Sequence, residues 1–211
     1  MGKDASLLIA AFVCFASMAS AAPVTYDVSV DTSSISGTAG SLDFNFNPGP
    51  LVTQPASAQI LDFMSDGMLA GSPVLTGDVA GALPGTVTFD NGTAFNDYFE
   101  GFTYGSTLSF QISLYGAALS SPDGTSTSGS VFAFSMFSDP GGTIPALTTD
   151  TANGFAFTVG VNLDGTTAVA NSSTPTTVTP VTPTVPEPGT LPLMAAAIGL
   201  WLAFRFRARR R

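Results

Sequence analysis

The chain has 211 residues, a length typical of one folded domain with additional terminal segments. Its formal charge is −9, and its basic residues all lie near the two ends: Lys3, Arg205, Arg207, Arg209, Arg210 and Arg211. Because no Lys, Arg or His lies between them, the rest of the chain has no side chain that could neutralise phosphate, which argues against nucleic acid as a partner.

The N-terminal residues have the features of a signal peptide. Lys3 precedes an apolar run over residues 5–15, and small residues including Ala19 and Ala21 follow. This order predicts a signal peptide over residues 1–21 that signal peptidase removes after Ala21. The single cysteine, Cys14, lies inside it, so we expect a mature chain without a disulfide or a thiol nucleophile.

Residues 22–170 have the alternation of an antiparallel β-sheet protein. From 108 to 114, apolar residues alternate with Ser109, Gln111 and Ser113, as in a strand with one solvent-exposed face. Similar patterns occur at 26–30, 42–46, 59–63, 86–90 and 155–161. The segment 131–137 is apolar on both faces and predicts a strand that is buried on both sides. Gly, Pro, Asp and Asn clusters separate these segments, so we predict an all-β fold: a single antiparallel β-sandwich of seven or eight strands, jelly-roll-like.

An aromatic segment, 95–104, is the candidate for ligand binding. Aromatic faces stack on sugar rings, and neighbouring carboxylates accept hydrogen bonds from sugar hydroxyls. The possible glycan-binding residues are Asp97, Tyr98, Phe99, Glu100, Phe102 and Tyr104. The alternative is that the rings close one end of the sandwich while the two acids face water. Exposure of the rings decides between these interpretations.

Catalytic residues are not predicted. The domain lacks His, Lys, Cys and Arg, which leaves carboxylate chemistry, and Asp97 with Glu100 is the candidate pair. Glycoside hydrolysis needs two carboxylates ~5–10 Å apart across a cleft, and a spacing of three residues does not establish that geometry. We therefore expect a protein that is not an enzyme.

Acidic turns at 90–92, 123–124 and 162–165 raise calcium as an alternative ligand. None of them has the alternating acids of a calcium-binding loop. Asx turns need the same residues, and this is the interpretation that we prefer. No cofactor and no metal site is predicted.

The C-terminal region has three parts. Residues 171–185 are rich in Thr and Pro and predict an extended stalk without a core. Pro186, Glu187 and Pro188 then precede an apolar segment, 190–204, and an arginine tail, 205–211. Arginine clusters stay on the cytoplasmic side, so the preceding chain should lie outside. As a helix, the 14 uncharged residues 191–204 would span only ~21 Å of a hydrocarbon core ~30 Å thick, which suits a transient anchor in the inner membrane.

This arrangement at 186–211 resembles the PEP-CTERM sorting signal, which is found on substrates of exosortases in many Gram-negative bacteria that make extracellular polysaccharide. The resemblance implies that a membrane exosortase cuts near Pro186, Glu187 and Pro188. The stretches 40–44 and 95–102 also resemble an uncharacterised family of PEP-CTERM proteins, which implies no activity.

We therefore expect an exported protein that is anchored transiently in the inner membrane with its N-terminus outside and then reaches the cell surface or the extracellular space. Its expected role is structural or associated with exopolysaccharide in a biofilm matrix. One alternative is a lectin-like carbohydrate-binding module. A third is a carboxylate-based glycan hydrolase.

Overall fold

Two antiparallel β-sheets pack face to face in residues 22–182, which are the residues that the computed structural model describes. Sheet A consists of β1 (Val24–Asp31), β3 (Ser57–Ser65), β6 (Val79–Gly81), β7 (Val87–Asp90), β9 (Thr107–Tyr115) and β13 (Thr176–Val181). The spatial order of these strands is β13–β1–β9–β3–β7–β6. This order places β1 and β9 next to each other, between the edge strand β13 and β3.

Sheet B forms the other layer. It consists of β2 (Ala39–Pro48), β4 (Met68–Leu69), β5 (Val74–Thr76), β8 (Asp97–Thr103), β10 (Ser130–Phe137), β11 (Phe155–Val161) and β12 (Thr167–Asn171). The order is β12–β11–β10–β2–β8–β4, and β5 also pairs with β8. A 3₁₀ helix at Ser33–Ile35 and a short α-helix, α1 (Ala117–Ser120), connect strands. The prediction of an all-β sandwich is confirmed.

The core lies between the two sheets and is rich in phenylalanine. Alternate residues of each strand face inward, so the apolar members of each alternating pattern meet in one layer. Phe110 of β9 is 2 % exposed, and its ring lies 5.3 Å from that of Phe44 and 5.2 Å from that of Phe134. Phe44 and Phe134 belong to sheet B, so these edge-to-face contacts join the two layers.

The alternating segments of the sequence all lie within strands, except that Thr86 precedes β7. The strands that contain them are β1, β2, β3, β7, β9, β10 and β11. In β10, every residue except Val131 is buried, which confirms the prediction of burial on both faces. Within residues 22–182 the structure has thirteen strands, so the prediction of seven or eight is wrong. Several short or polar strands have no recognisable alternating pattern in the sequence.

The structure differs from the expected stalk over residues 171–185. Thr176–Val181 form β13, at the edge of sheet A beside β1. The Thr176 side chain is 4 % exposed, and Val178 packs against the core. Thr and Val favour strands, and Pro180 is tolerated because β13 is an edge strand. The correction therefore shortens the expected stalk and extends the folded domain.

Several sequence predictions lie outside the described residues. They are the signal peptide with its cleavage residues Ala19 and Ala21, the apolar segment 190–204 and the arginine tail. Within residues 22–182, no helix has the length and apolar character that crossing a membrane requires.

Candidate functional site

The aromatic segment 95–104 contributes most of its rings to the core. In β8, Tyr98 and Phe102 point between the sheets and are 0 % and 4 % exposed, and Tyr104, just beyond the strand, is 2 % exposed. Only Phe99 of the predicted aromatic residues lies half-buried on the outer face of sheet B. The predicted glycan-binding surface is therefore wrong for Tyr98, Phe102 and Tyr104, whose buried rings cannot stack on a sugar.

Glu100 lies on the inner face of β8, where its carboxyl group is hydrogen-bonded. It is 1 % exposed, and it accepts hydrogen bonds from the Tyr98 hydroxyl at 2.5 Å and from the Gly71 N–H at 2.8 Å. The Leu83 N–H donates to the same Tyr98 hydroxyl at 3.0 Å. Burial, and then the neighbouring Glu100, raise the pKa of Tyr98. These contacts attach the 71–83 segment to sheet B, so the role of Glu100 is structural.

Asp97 and Glu100 do not form a catalytic pair. They are three residues apart in one strand, so their side chains project to opposite faces of the sheet. Asp97 lies on the outer face, where burial and the nearby Asp43 raise its pKa to about 8. The structure therefore does not assemble the carboxylate pair that hydrolysis of a glycan would need at this position.

The acidic turns use their side chains to hold backbone N–H groups. Asp123 Oδ1 accepts hydrogen bonds from the N–H groups of Thr125 at 2.9 Å and Ser126 at 2.8 Å, and these contacts lower the pKa of Asp123 to about 2. Asp164 Oδ1 accepts from the Thr166 N–H at 3.0 Å in the same way. In the described part of the chain, no three His, Cys, Asp or Glu residues converge as a metal site. The Asx-turn interpretation is confirmed at these two turns.

An open groove of about 550 Å³ crosses the outer face of sheet A. This volume lies within the range of sites that bind small ligands. The groove runs over β13, β1, β9 and β3. The side chains and backbone of these residues line it: Asp27, Val28, Ser29, Asp62, Phe63, Met64, Ser109, Phe110, Gln111, Thr177 and Thr179.

The floor of the groove is formed by the polar faces of β1 and β9. Asp27 is directly opposite Gln111 in the antiparallel ladder, and Ser29 is opposite Ser109. The Gln111 side chain donates a hydrogen bond from Nε2 to Asp27 Oδ1 at 2.7 Å. Because the apolar residues of both strands face the core, the alternation that builds the sandwich also lines this outer surface with carboxylate, amide and hydroxyl groups.

A β-bulge in β3 shapes one side of the groove. Leu61 is opposite Gln111 and Met64 is opposite Ser109, so β3 has one more residue than β9 over this interval. Asp62 adopts a left-handed backbone conformation with φ of 52°, which Asp tolerates better than most side chains. Bulges of this kind redirect side chains and are frequent next to functional sites. Here the bulge adds a second carboxylate to the groove, and Met64 adds an exposed apolar group.

The composition of the groove limits the ligands that it can accept. It has two carboxylates, an amide and several hydroxyls, and the chain has no cationic side chain between Lys3 and Arg205. Such a surface accepts hydrogen bonds from hydroxyl groups and repels phosphates and acidic sugars. This groove was not predictable from local sequence, because the pairing of β1 with β9 brings together residues that are far apart in the chain. The polar residues that alternate with apolar ones in β1 and β9 are the sequence feature that could have indicated it.

The C-terminal residues that predict sorting match a known family model. Residues 184–211 match the PEP-CTERM protein-sorting motif, and the match includes Pro186, Glu187 and Pro188 together with the arginine tail. No curated protein and no solved structure matches the chain. The chain therefore carries a PEP-CTERM protein-sorting motif at its C-terminus, which implies an exported protein that an exosortase processes and that is sorted to the cell surface.

Proposed function

We propose that this protein is a cell-surface or extracellular-matrix protein that binds neutral extracellular polysaccharide in the groove on sheet A. The proposal combines the expected association with exopolysaccharide and the lectin-like alternative, and it places binding on sheet A instead of on the aromatic residues of β8. The observation that carries it is the groove itself, a concave surface rich in hydrogen-bond acceptors and free of cationic groups.

The sorting motif supports the proposal through location. The motif implies delivery to the outside of the cell. Its resemblance to the PEP-CTERM signal also implies a host that makes extracellular polysaccharide. A protein sorted to the surface of such a cell would lie next to that polysaccharide. The folded domain would then present its sheets to that polymer.

The groove chemistry supports a neutral polysaccharide. Carboxylates such as those of Asp27 and Asp62 accept hydrogen bonds from sugar hydroxyls, and Thr177 and Thr179 can both donate and accept. An acidic polysaccharide would bring its carboxylates next to Asp27 and Asp62 without a cation to compensate them. Met64, which is 67 % exposed, offers an apolar contact for the carbon face of a sugar ring.

Native affinity electrophoresis of the full chain in detergent tests the proposal. The gels contain dextran or galactomannan as neutral polysaccharides and alginate as an acidic one. We expect retardation in at least one neutral gel and none in alginate. Asp27→Asn and Asp62→Asn should each weaken the retardation several-fold, because an amide is a weaker acceptor than a carboxylate.

Asp97→Asn is the matched control, because it removes one carboxylate from the outer face of the opposite sheet. Equal retardation of wild type and both groove variants would refute the assignment of the groove. Retardation in alginate alone would refute the neutral class. Unretarded migration in every gel would favour a structural role without glycan affinity.

A further inference from the structure

We propose that a divalent cation binds on the outer face of sheet B, between Asp43 of β2 and Asp97 of β8. This site lies on the opposite layer from the groove, and it does not depend on glycan binding. It also differs from the acidic turns considered for calcium, because its ligands come from neighbouring strands.

Strand register brings oxygen-bearing side chains into one row. Ser135 of β10 is directly opposite Asp43, and Thr76 of β5 is directly opposite Asp97. Asn45 is opposite Asp97 in the β2–β8 ladder, so Asp43 and Asp97 are diagonal neighbours. Residues opposite each other in an antiparallel ladder share a face, with Cβ atoms ~5 Å apart, and diagonal neighbours remain within reach.

Two oxygens in this row lack a hydrogen-bond partner. Ser135 is 1 % exposed, and neither its Oγ nor the buried Oδ1 of Asp97 is hydrogen-bonded to any residue in the described range. Buried polar atoms in folded proteins are nearly always satisfied, and exceptions point to an ion or a water. A water could satisfy Ser135, but it brings no charge to offset Asp43 and Asp97 when both are ionised. A cation satisfies both requirements.

The electrostatics of the row also favour a cation. Burial raises the pKa of both carboxyls, and the nearby Asp43 raises that of Asp97 further. Strands β10 and β5, which flank the pair, contain no titratable side chain, and the other acid of β8, Glu100, faces the core. Because the chain has no basic side chain between Lys3 and Arg205, the charge that offsets this pair comes from solution, as a proton that Asp97 shares with Asp43 or as a cation that displaces it.

The donor set determines the class of ion. Carboxylate and hydroxyl oxygens suit Ca²⁺ and Mg²⁺, whereas His and Cys, which bind zinc and copper, are absent from this row. Asn45 donates from Nδ2 to Asp43 Oδ1 at 3.3 Å and orients that carboxylate. Strand side chains cannot supply a complete shell, so water completes it. Ca²⁺ tolerates such an irregular shell better than Mg²⁺ does.

Isothermal titration of the metal-free full chain in detergent with CaCl₂ and MgCl₂ tests the site. We expect one Ca²⁺ per chain with a dissociation constant of about 10⁻⁴–10⁻³ M, as in extracellular calcium modules, and weaker binding of Mg²⁺. Asp97→Asn should weaken Ca²⁺ binding at least about tenfold, because ligand charge sets affinity. Ser135→Ala should weaken it several-fold without changing the charge of the site.

Asp27→Asn is the control, since it removes one carboxylate from the other sheet and should leave Ca²⁺ binding unchanged. Circular dichroism of each variant verifies the fold. Asp97→Asn preserves side-chain volume, and Ser135→Ala provides a second variant if the first does not fold. Absence of Ca²⁺ binding up to ~10 mM, well above the expected constant, would overturn the proposal. Binding that both Asp97→Asn and Ser135→Ala leave unchanged would also overturn it, because the ion would then be elsewhere.

Discussion

Phe110 offers the most direct test of how the two sheets are held together. Its ring is 2 % exposed and packs edge to face against Phe44 and Phe134 of the opposite sheet. It also lies 6.5 Å from the ring of Phe63 and 6.4 Å from that of Phe157. Truncation to alanine would therefore open a cavity at the point where the contacts between the layers converge.

The size of the effect follows from these contacts. Truncation of a buried Phe to Ala costs about 3–5 kcal/mol, and each aromatic pair contributes about 0.5–1.5 kcal/mol beyond its buried area. Because Phe110 loses two close edge-to-face partners, we expect Phe110→Ala to lower the free energy of unfolding by about 4–5 kcal/mol. Phe110→Leu retains most of the volume and should cost about 1–2 kcal/mol.

Urea unfolding followed by circular dichroism measures these differences from the shift in midpoint at constant slope. The control is Phe95→Ala, because Phe95 is 52 % exposed and its truncation should change stability by less than about 1 kcal/mol. A loss below about 2 kcal/mol for Phe110→Ala, or a loss equal to that of Phe95→Ala, would refute the assignment of this contact as the centre of the core.

Three further predictions concern hydrogen bonding, acid stability and sorting. The Tyr104 hydroxyl lies 2.9 Å from both Ser41 O and Phe137 O, so Tyr104→Phe should lower the free energy of unfolding in urea by about 1–3 kcal/mol, and an unchanged midpoint would contradict this. The turn hydrogen bonds lower the pKa of Asp123 from 3.8 to about 2. They therefore stabilise the folded state fully above pH 3.8, and this stabilisation is lost as the pH falls through about 2. Asp123→Ala should therefore lower the melting temperature at pH 6, and the difference should shrink at pH 2; a difference independent of pH would count against the turn contacts. Replacement of the tail arginines by glutamine should leave the protein misoriented or secreted without processing, because positive charge holds that end inside. Membrane and medium fractions on a gel report this outcome, and unchanged processing would be inconsistent with it; the residues replaced are Arg205, Arg207, Arg209, Arg210 and Arg211.

Local sequence patterns were sufficient for seven of the strands and for the sorting motif. The alternation in 108–114 predicts β9 because the two faces of a strand meet different environments, and this is visible within one segment. The sorting motif is likewise local, since its proline pair, apolar stretch and arginine tail follow one another directly. These features need no knowledge of what lies nearby in space.

The position of the β8 side chains could not be predicted from local sequence. Its aromatic and acidic residues are equally compatible with a binding loop and with a strand, and the composition favours neither. Once 97–103 pairs with β2, side chains alternate between the two faces of the strand. Tyr98, Glu100 and Phe102 then lie in the core, and Asp97 lies on the outer face. The Thr/Pro segment before residue 182 is similar, because its composition is compatible both with an extended stalk and with an edge strand, and only the pairing with β1 distinguishes them.

The sequence by itself determined that this chain is an exported β-sandwich with a C-terminal sorting motif. Only the tertiary structure decided which polar residues meet: Asp27 with Gln111 in the groove, and Asp43 with Asp97 on the opposite sheet. Both residue pairs depend on the register between strands that are distant in the chain. That register is set by how all the apolar residues pack into one core. A single strand does not contain that information.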